Sequence, residues 1–310
     1  MRKHWVRLLA WVVTAGLLVL LFRRVSIAEV MAAARGAPGW VVPGAIACVL
    51  AVYFCDSFAI WKTFGWFLAP LTYGQVLVVR GASYLLAAIN YNVGQGAMVY
   101  FVHRAKGTTV MRGIATLLLI LGINVLALLG LSTVGLFVAP DIPRVVRIVV
   151  VVAFAGLAIY ALAVALKPRW LAERPLFDVL LSAGLGGHLK ALLVRLPHVA
   201  ALITYQTLVL RAFGVAVPVR QAFVTLPLVT FIAVLPISVQ GLGTTQAAMI
   251  FFFARYAPGS ADATVTAASI FMQAFGTILQ AALGLVCLRT RTGQELRAAA
   301  AASVVAKPAA

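Results

Sequence analysis

Between Gly113 and Val138 the chain carries no charged side chain, and this run is one of several. A stretch of about eighteen apolar residues or more reaches across the ~30 Å hydrocarbon layer of a bilayer at ~1.5 Å per residue. Such stretches recur from end to end, and each must satisfy its own backbone N–H and C=O groups in lipid, which favours helices. The chain is therefore expected to be an all-α integral membrane protein. Composition removes the soluble alternatives, since 64% of residues are hydrophobic and 10% charged, against about 25% charged in an ordinary soluble domain. A net charge of +18 would suggest nucleic acid in a soluble protein. Here Lys and Arg sit mostly between or at the ends of apolar elements, where they set topology and meet anionic head groups, so no nucleic-acid partner is expected.

Eight apolar elements can be marked in the sequence. They are Trp5–Phe22, Trp40–Trp61, Val76–Val102, Gly113–Val138, Val145–Leu166, Ala191–Phe213, Phe223–Phe253 and Val265–Leu288. Arg23 and Arg24 directly follow the first, with no small-residue cleavage site before them, which favours a retained helix over a removed signal peptide. Val25–Ala34 reads as an amphipathic interfacial stretch. A basic segment, Lys167–Lys190, separates the fifth element from the sixth, and the tail 289–310 is expected to be disordered and cytoplasmic. Cys48, Cys55 and Cys287 lie in apolar segments without metal-site spacing and read as small core residues.

Two elements are interrupted. Val76–Val102 is broken by Asn90-Tyr91-Asn92-Val93-Gly94-Gln95-Gly96, and Phe223–Phe253 by the segment from Pro236 to Gln246. Counted as simple spans, the eight elements put the basic loops after the third and fifth on the side opposite the N-terminus, against the positive-inside tendency. If both interrupted elements enter the membrane, break and return, most basic residues become cytoplasmic, Arg80, Arg104, Lys106, Arg174 and Arg195 among them. Gln95–Arg104 also aligns without gaps to Gln246–Arg255, with five of ten positions identical. The expected organisation is an inverted repeat, residues 1–140 and 141–288, each half with a broken re-entrant helix. Paired broken helices of this kind point to a transporter-type site near the midplane.

Gly94, Gly96, Pro236, Gly241 and Gly243 are the expected hinges. After each break a helix should restart, capped by Asn92 in one case and by Thr244 or Thr245 in the other. Two helix N-termini meeting from opposite leaflets would favour a phosphate or carboxylate. The expected lining is Asn90, Asn92, Gln95, Ser238, Gln240, Thr244, Thr245 and Gln246. Arg104 and Arg255, at the far ends of the restarted helices, are candidates for head-group capture or for snorkelling at the surface. Asp56 is costly inside an apolar element. It is a candidate coupling group, or a partner for Lys62 or Arg211. His103 and His198 read as interfacial. No Ser/His/Asp set, zinc motif, phosphate loop or close carboxylate pair appears in the sequence, so no catalytic residue, cofactor or metal is expected.

At the second break the sequence L-P-I-S-V-Q-G-L-G-T-T-Q-A, Leu235 to Ala247, resembles the family named after the transmembrane region of lysylphosphatidylglycerol synthase, described as flippase-like. The first break, Asn90 through Tyr100, matches that family more weakly. The resemblance implies lipid translocation; the two helix starts lead us to expect lipids with anionic or phosphate-bearing head groups as partners, and the charge distribution leads us to expect both termini on the cytoplasmic side of the cytoplasmic membrane. Aminoacyl transfer is not expected, because the synthase domain is not in this sequence. The family's acidic position after G-L-G is Gln246 here, and the acidic and basic positions of the first break are Ala97 and Gln95. A separate reading is a non-transporting partner of a lipid-modifying enzyme.

Overall fold

The computed structural model describes residues 27–89, 91–138, 144–234, 241–290 and 293–294, and contains no strand among them. The first apolar element, Trp5–Phe22, and nearly all of the tail lie outside the described residues. The helices are α1 (Ile27–Arg35), α2 (Val41–Phe67), α3 (Tyr73–Ile89), α4 (Tyr91–Lys106), α5 (Val110–Val138) and α6 (Arg144–Leu166). They continue with α7 (Arg169–Ala172), α8 (Asp178–Ala212), α9 (Val219–Val234), α10 (Thr244–Phe253), a short 3-10 turn (Ala254–Tyr256) and α11 (Ala261–Arg289). By length and composition α2, α5, α8 and α11 are each able to cross a membrane.

Local chemistry accounts for many of the boundaries. Before α3, Thr72 and Gln75 exchange two bonds: the Gln75 N–H donates to Thr72 Oγ1 at 3.2 Å, and the Thr72 N–H donates to Gln75 Oε1 at 3.0 Å. This is a capping box. Thr109 accepts from the Arg112 N–H at the start of α5. Gly214, at φ 82°, closes α8 with the Val215 N–H bonded back to the Leu210 carbonyl, the left-handed C-terminal cap that glycine favours.

The sixth element begins earlier than the sequence suggests. The basic segment Lys167–Lys190, expected to separate the fifth element from the sixth, holds α7 and the first part of α8. The reason is packing: Val179 and Leu180 are buried with Ala115, Leu119 and Ile123 of α5. Inside α8 the backbone leaves helical geometry at Gly184, φ 60°. His188 Nδ1 donates to the freed Gly184 carbonyl at 2.7 Å, and the Tyr160 hydroxyl of α6 donates to His188 Nε2 at 2.7 Å.

The chain divides into two compact units. One comprises Met1–Val49, Leu128–Val151 and Ala200–Gly276, and the other Leu50–Ala127, Val152–Val199 and Thr277–Ala310. In the first, the Tyr205 hydroxyl of α8 donates to the Met272 carbonyl of α11 at 2.9 Å, and Phe213 packs on Phe271. In the second, Tyr53, Ile60 and Phe64 of α2 form a core with Val76 and Val79 of α3, Met98 and Val102 of α4, and Cys287 of α11.

Candidate functional site

α3 and α4 have 17 and 16 residues, about 25 Å each, shorter than the roughly 20 residues a span needs. They fold back on one another. A Cβ built on Gly94 of α4 would lie 2.6 Å from the Ser83 carbonyl oxygen and 2.6 Å from the Ala87 Cβ of α3. In one continuous helix Ser83 and Gly94 would be about 16 Å apart along the axis, so the contact requires a reversal between them. The interruption falls at Asn90, outside the described residues.

This corrects two expected roles. Gly94 and Gly96 are not hinges, because both are helical residues of α4. Gly94 permits the close approach to α3, and a Cβ on Gly96 would meet nothing within 4 Å. Asn92 does not precede its helix as a cap; it lies in the first turn of α4, and its side chain is outside the described residues. Gln95 is half-buried, and Arg104 is exposed in the last turn of α4.

The second interruption lies in the other compact unit. Pro236, Ser238 and Gln240 are outside the described residues. Gly241 and Gly243 have φ of 73° and 82°, a region that strongly favours glycine. The N-cap of α10 is Gly243, not Thr244 or Thr245. The capping group is the Gln246 side chain, whose Oε1 accepts from the Gly243 N–H at 2.7 Å. Its Nε2 donates to Gln273 Oε1 of α11 at 3.1 Å. Gln246 is 1% exposed, so it ties the start of α10 to α11. The Thr244 hydroxyl donates to the Gly241 carbonyl at 3.0 Å, and Thr245 is half-buried. Arg255 is exposed in the turn after α10, with its guanidinium over the Tyr256 ring.

Asp56 anchors a cluster that the sequence did not assemble. It is wholly buried on α2. Its Oδ2 accepts from Arg80 Nε of α3 at 2.5 Å and from the Tyr84 hydroxyl at 3.1 Å, and its Oδ1 accepts from Arg195 Nη1 of α8. Arg195 Nε donates to Asn124 Oδ1 of α5 at 3.1 Å, and the Arg80 guanidinium lies 4.5 Å over the Tyr84 ring. Neither expected partner is the one used. Lys62 lies over the rings of Trp61 and Phe58, and Arg211 donates to the Val217 carbonyl. Arg80 and Arg195, counted in the sequence among the cytoplasmic charges, have side chains 12% and 9% exposed. His198, expected to be interfacial, is 8% exposed. Its Nδ1 faces the Val52 carbonyl at 3.3 Å and Asp56 at 3.8 Å. The signal that could have found the cluster is a lone arginine inside an apolar run, as in Val78-Val79-Arg80 and Leu193-Val194-Arg195.

The order of long and interrupted apolar helices has a counterpart among known families. The family model described as lysylphosphatidylglycerol synthase TM region matches residues 7–284. The chain belongs to this family. No curated protein matches it. Membership in the lysylphosphatidylglycerol synthase transmembrane region family, with four membrane-length helices among the described residues, makes this a multi-pass membrane protein associated with lipid metabolism or transport.

Proposed function

We propose that the protein is a lipid translocator that moves a phospholipid or polyprenyl-phosphate-type lipid across the cytoplasmic membrane. The observation that carries this reading is the fold-back of α3 on α4 at Gly94, two helices each shorter than the usual span of about 20 residues. A hairpin of that kind, re-entering the membrane, would end in irregular backbone at depth, which is tolerated where it lines a polar cavity. The turn before α10, with its two positive-φ glycines, is the corresponding feature of the second half in an inverted-repeat arrangement of residues 1–140 and 141–288. Gln95, Arg104, Thr244, Thr245, Gln246 and Arg255 remain the residues of the two restarted helices proposed to meet the lipid. Both termini are proposed to be cytoplasmic.

The test is movement of fluorescent phospholipids and polyprenyl phosphates in liposomes holding the purified protein. Translocation that a Gly94→Val chain fails to catalyse is the expected result. No movement of any lipid by folded wild-type protein would overturn the proposal. A second reading, a membrane partner of a separate lipid-modifying enzyme, draws on a cleft of about 590 Å³ lined by Thr108, Thr109, Arg112, Glu173 and Asp178. That result would favour it.

A further inference from the structure

Three of the helices long enough to cross a membrane meet one cleft with an end. α2 stops at Phe67, α5 starts at Val110 and α8 starts at Asp178, and Leu68, Thr109 and Asp178 all line the cleft. The ends of spanning helices lie at the head-group layer, a depth at which tryptophan is enriched. Trp66 and Trp170, 44% and 68% exposed, each stand two residues from a lining residue, Leu68 and Ala172. The cleft lies within one compact unit and measures about 590 Å³, inside the roughly 300–1,000 Å³ of small-ligand pockets.

Its charges run against the rest of the chain. The sequence has 25 Lys and Arg to 7 Asp and Glu, yet two carboxylates, Glu173 and Asp178, line the cleft against one guanidinium, Arg112. No ion pair or side-chain hydrogen bond holds either carboxylate among the described residues. The helix dipole favours Asp178 in the first turn of α8, but Glu173 directly follows the C-terminal end of α7, where negative charge gains nothing from a dipole. Arg112 donates through Nε to the Phe67 carbonyl at 3.1 Å. That bond ties the guanidinium to the end of α2, and the group has four further N–H donors in the same plane.

We propose that this cleft binds a phosphodiester joined by a short linker to a primary ammonium, the head group of phosphatidylethanolamine, with Arg112 on the phosphodiester and Glu173 and Asp178 on the ammonium. The guanidinium fork matches phosphate oxygens, and the half-buried Thr108 hydroxyl lines the same cleft. A primary ammonium brings three N–H donors to the carboxylates. A choline head group brings none, and phosphatidylglycerol brings only a negative charge to a cleft that already has two. The site is separate from the residues proposed to carry lipid across, and it rests only on the chain being a membrane protein.

Binding of acyl-chain-labelled phosphatidylethanolamine, phosphatidylcholine and phosphatidylglycerol is measured on the purified full chain in detergent, with soluble glycerophosphoethanolamine as competitor. Phosphatidylethanolamine is expected to bind tightest. The Glu173→Gln/Asp178→Asn double variant should weaken it roughly tenfold, the loss of two exposed ion pairs, without weakening phosphatidylglycerol. Glu173→Lys should turn the preference toward phosphatidylglycerol, and Arg112→Gln should weaken both. All three side chains are exposed, and thermal melting checks that each variant folds. Competition by glycerophosphoethanolamine means that the head group alone is read; a lipid preference without that competition means that the chains are read as well, and either supports the site. Equal binding of the three lipids, or a preference that survives in the folded double variant, would overturn it and leave the cleft to a basic segment of a protein partner. A chain that shows the preference but moves no lipid refutes the transport reading and keeps this site; one that moves lipid without the preference does the reverse.

Discussion

Gly94 lies against the carbonyl of Ser83, so close that a Cβ there would sit 2.6 Å from the oxygen. Gly94→Ala should therefore force α3 and α4 apart, at a cost of roughly 1–3 kcal/mol from overpacking. Gly96→Ala, at a helical position with open space around its Cα, should be neutral or stabilising by up to about 1 kcal/mol. Thermal melting of both variants in detergent separates a packing glycine from a hinge. Equal destabilisation would refute the assignment.

Gly241→Ala should also destabilise, for a different reason. Its φ of 73° strains any residue with a Cβ, and that Cβ would meet Thr245 Oγ1 at 2.8 Å. The left-handed backbone alone accounts for about 1–2 kcal/mol. Melting of Gly241→Ala against wild type checks the loss.

Gln246→Leu removes the acceptor for the Gly243 N–H and the donor to Gln273. Leaving a buried N–H unmet should cost about 1–3 kcal/mol. Gln246→Glu keeps an acceptor at the helix start, where negative charge is favourable, and should melt closer to wild type. Lipid movement in liposomes should fall with Gln246→Leu.

Removing the Asp56 carboxylate takes the ion-pair partner from two buried guanidiniums. Asp56→Ala should lower stability by roughly 3–5 kcal/mol, while Lys62→Met, which loses only a contact over Trp61 and Phe58, should cost less than about 1 kcal/mol. Comparable losses in the two variants would mean that Lys62 shares the carboxylate in the membrane.

Gly107–Thr109 and Ala172–Glu173 line one cleft. Single cysteines introduced at Lys106 and Arg174 of a cysteine-free background should both react with an impermeant thiol reagent from the cytoplasmic side. Labelling from opposite sides would refute a re-entrant α3–α4 hairpin.

These comparisons separate what the residue pattern reveals from what it hides. Apolar length is a local property, so α2, α5 and α11 stand near their expected positions. The two interruptions are local as well, marked by Gly, Asn and Pro. What glycine does at each is not local: Gly94 and Gly241 look alike in sequence, yet one sits in a regular helix against its neighbour and the other turns the chain. The arginine partners of Asp56 lie 24 and 139 residues away. Only tertiary packing selects them over Lys62, which is nearer in sequence. The early start of α8 was hidden by its charges, which mask the apolar triplet Val179-Leu180-Leu181.

Gln246 holds the start of α10 with an amide, which neither gains nor releases a proton at any physiological pH. A carboxylate in the same place would change its hydrogen-bonding character with acidity, and with it the anchoring of α10 to α11. Here the Gly243–Gln246–Gln273 chain keeps one pattern of donors and acceptors as pH changes. Protonation leaves this anchor unchanged.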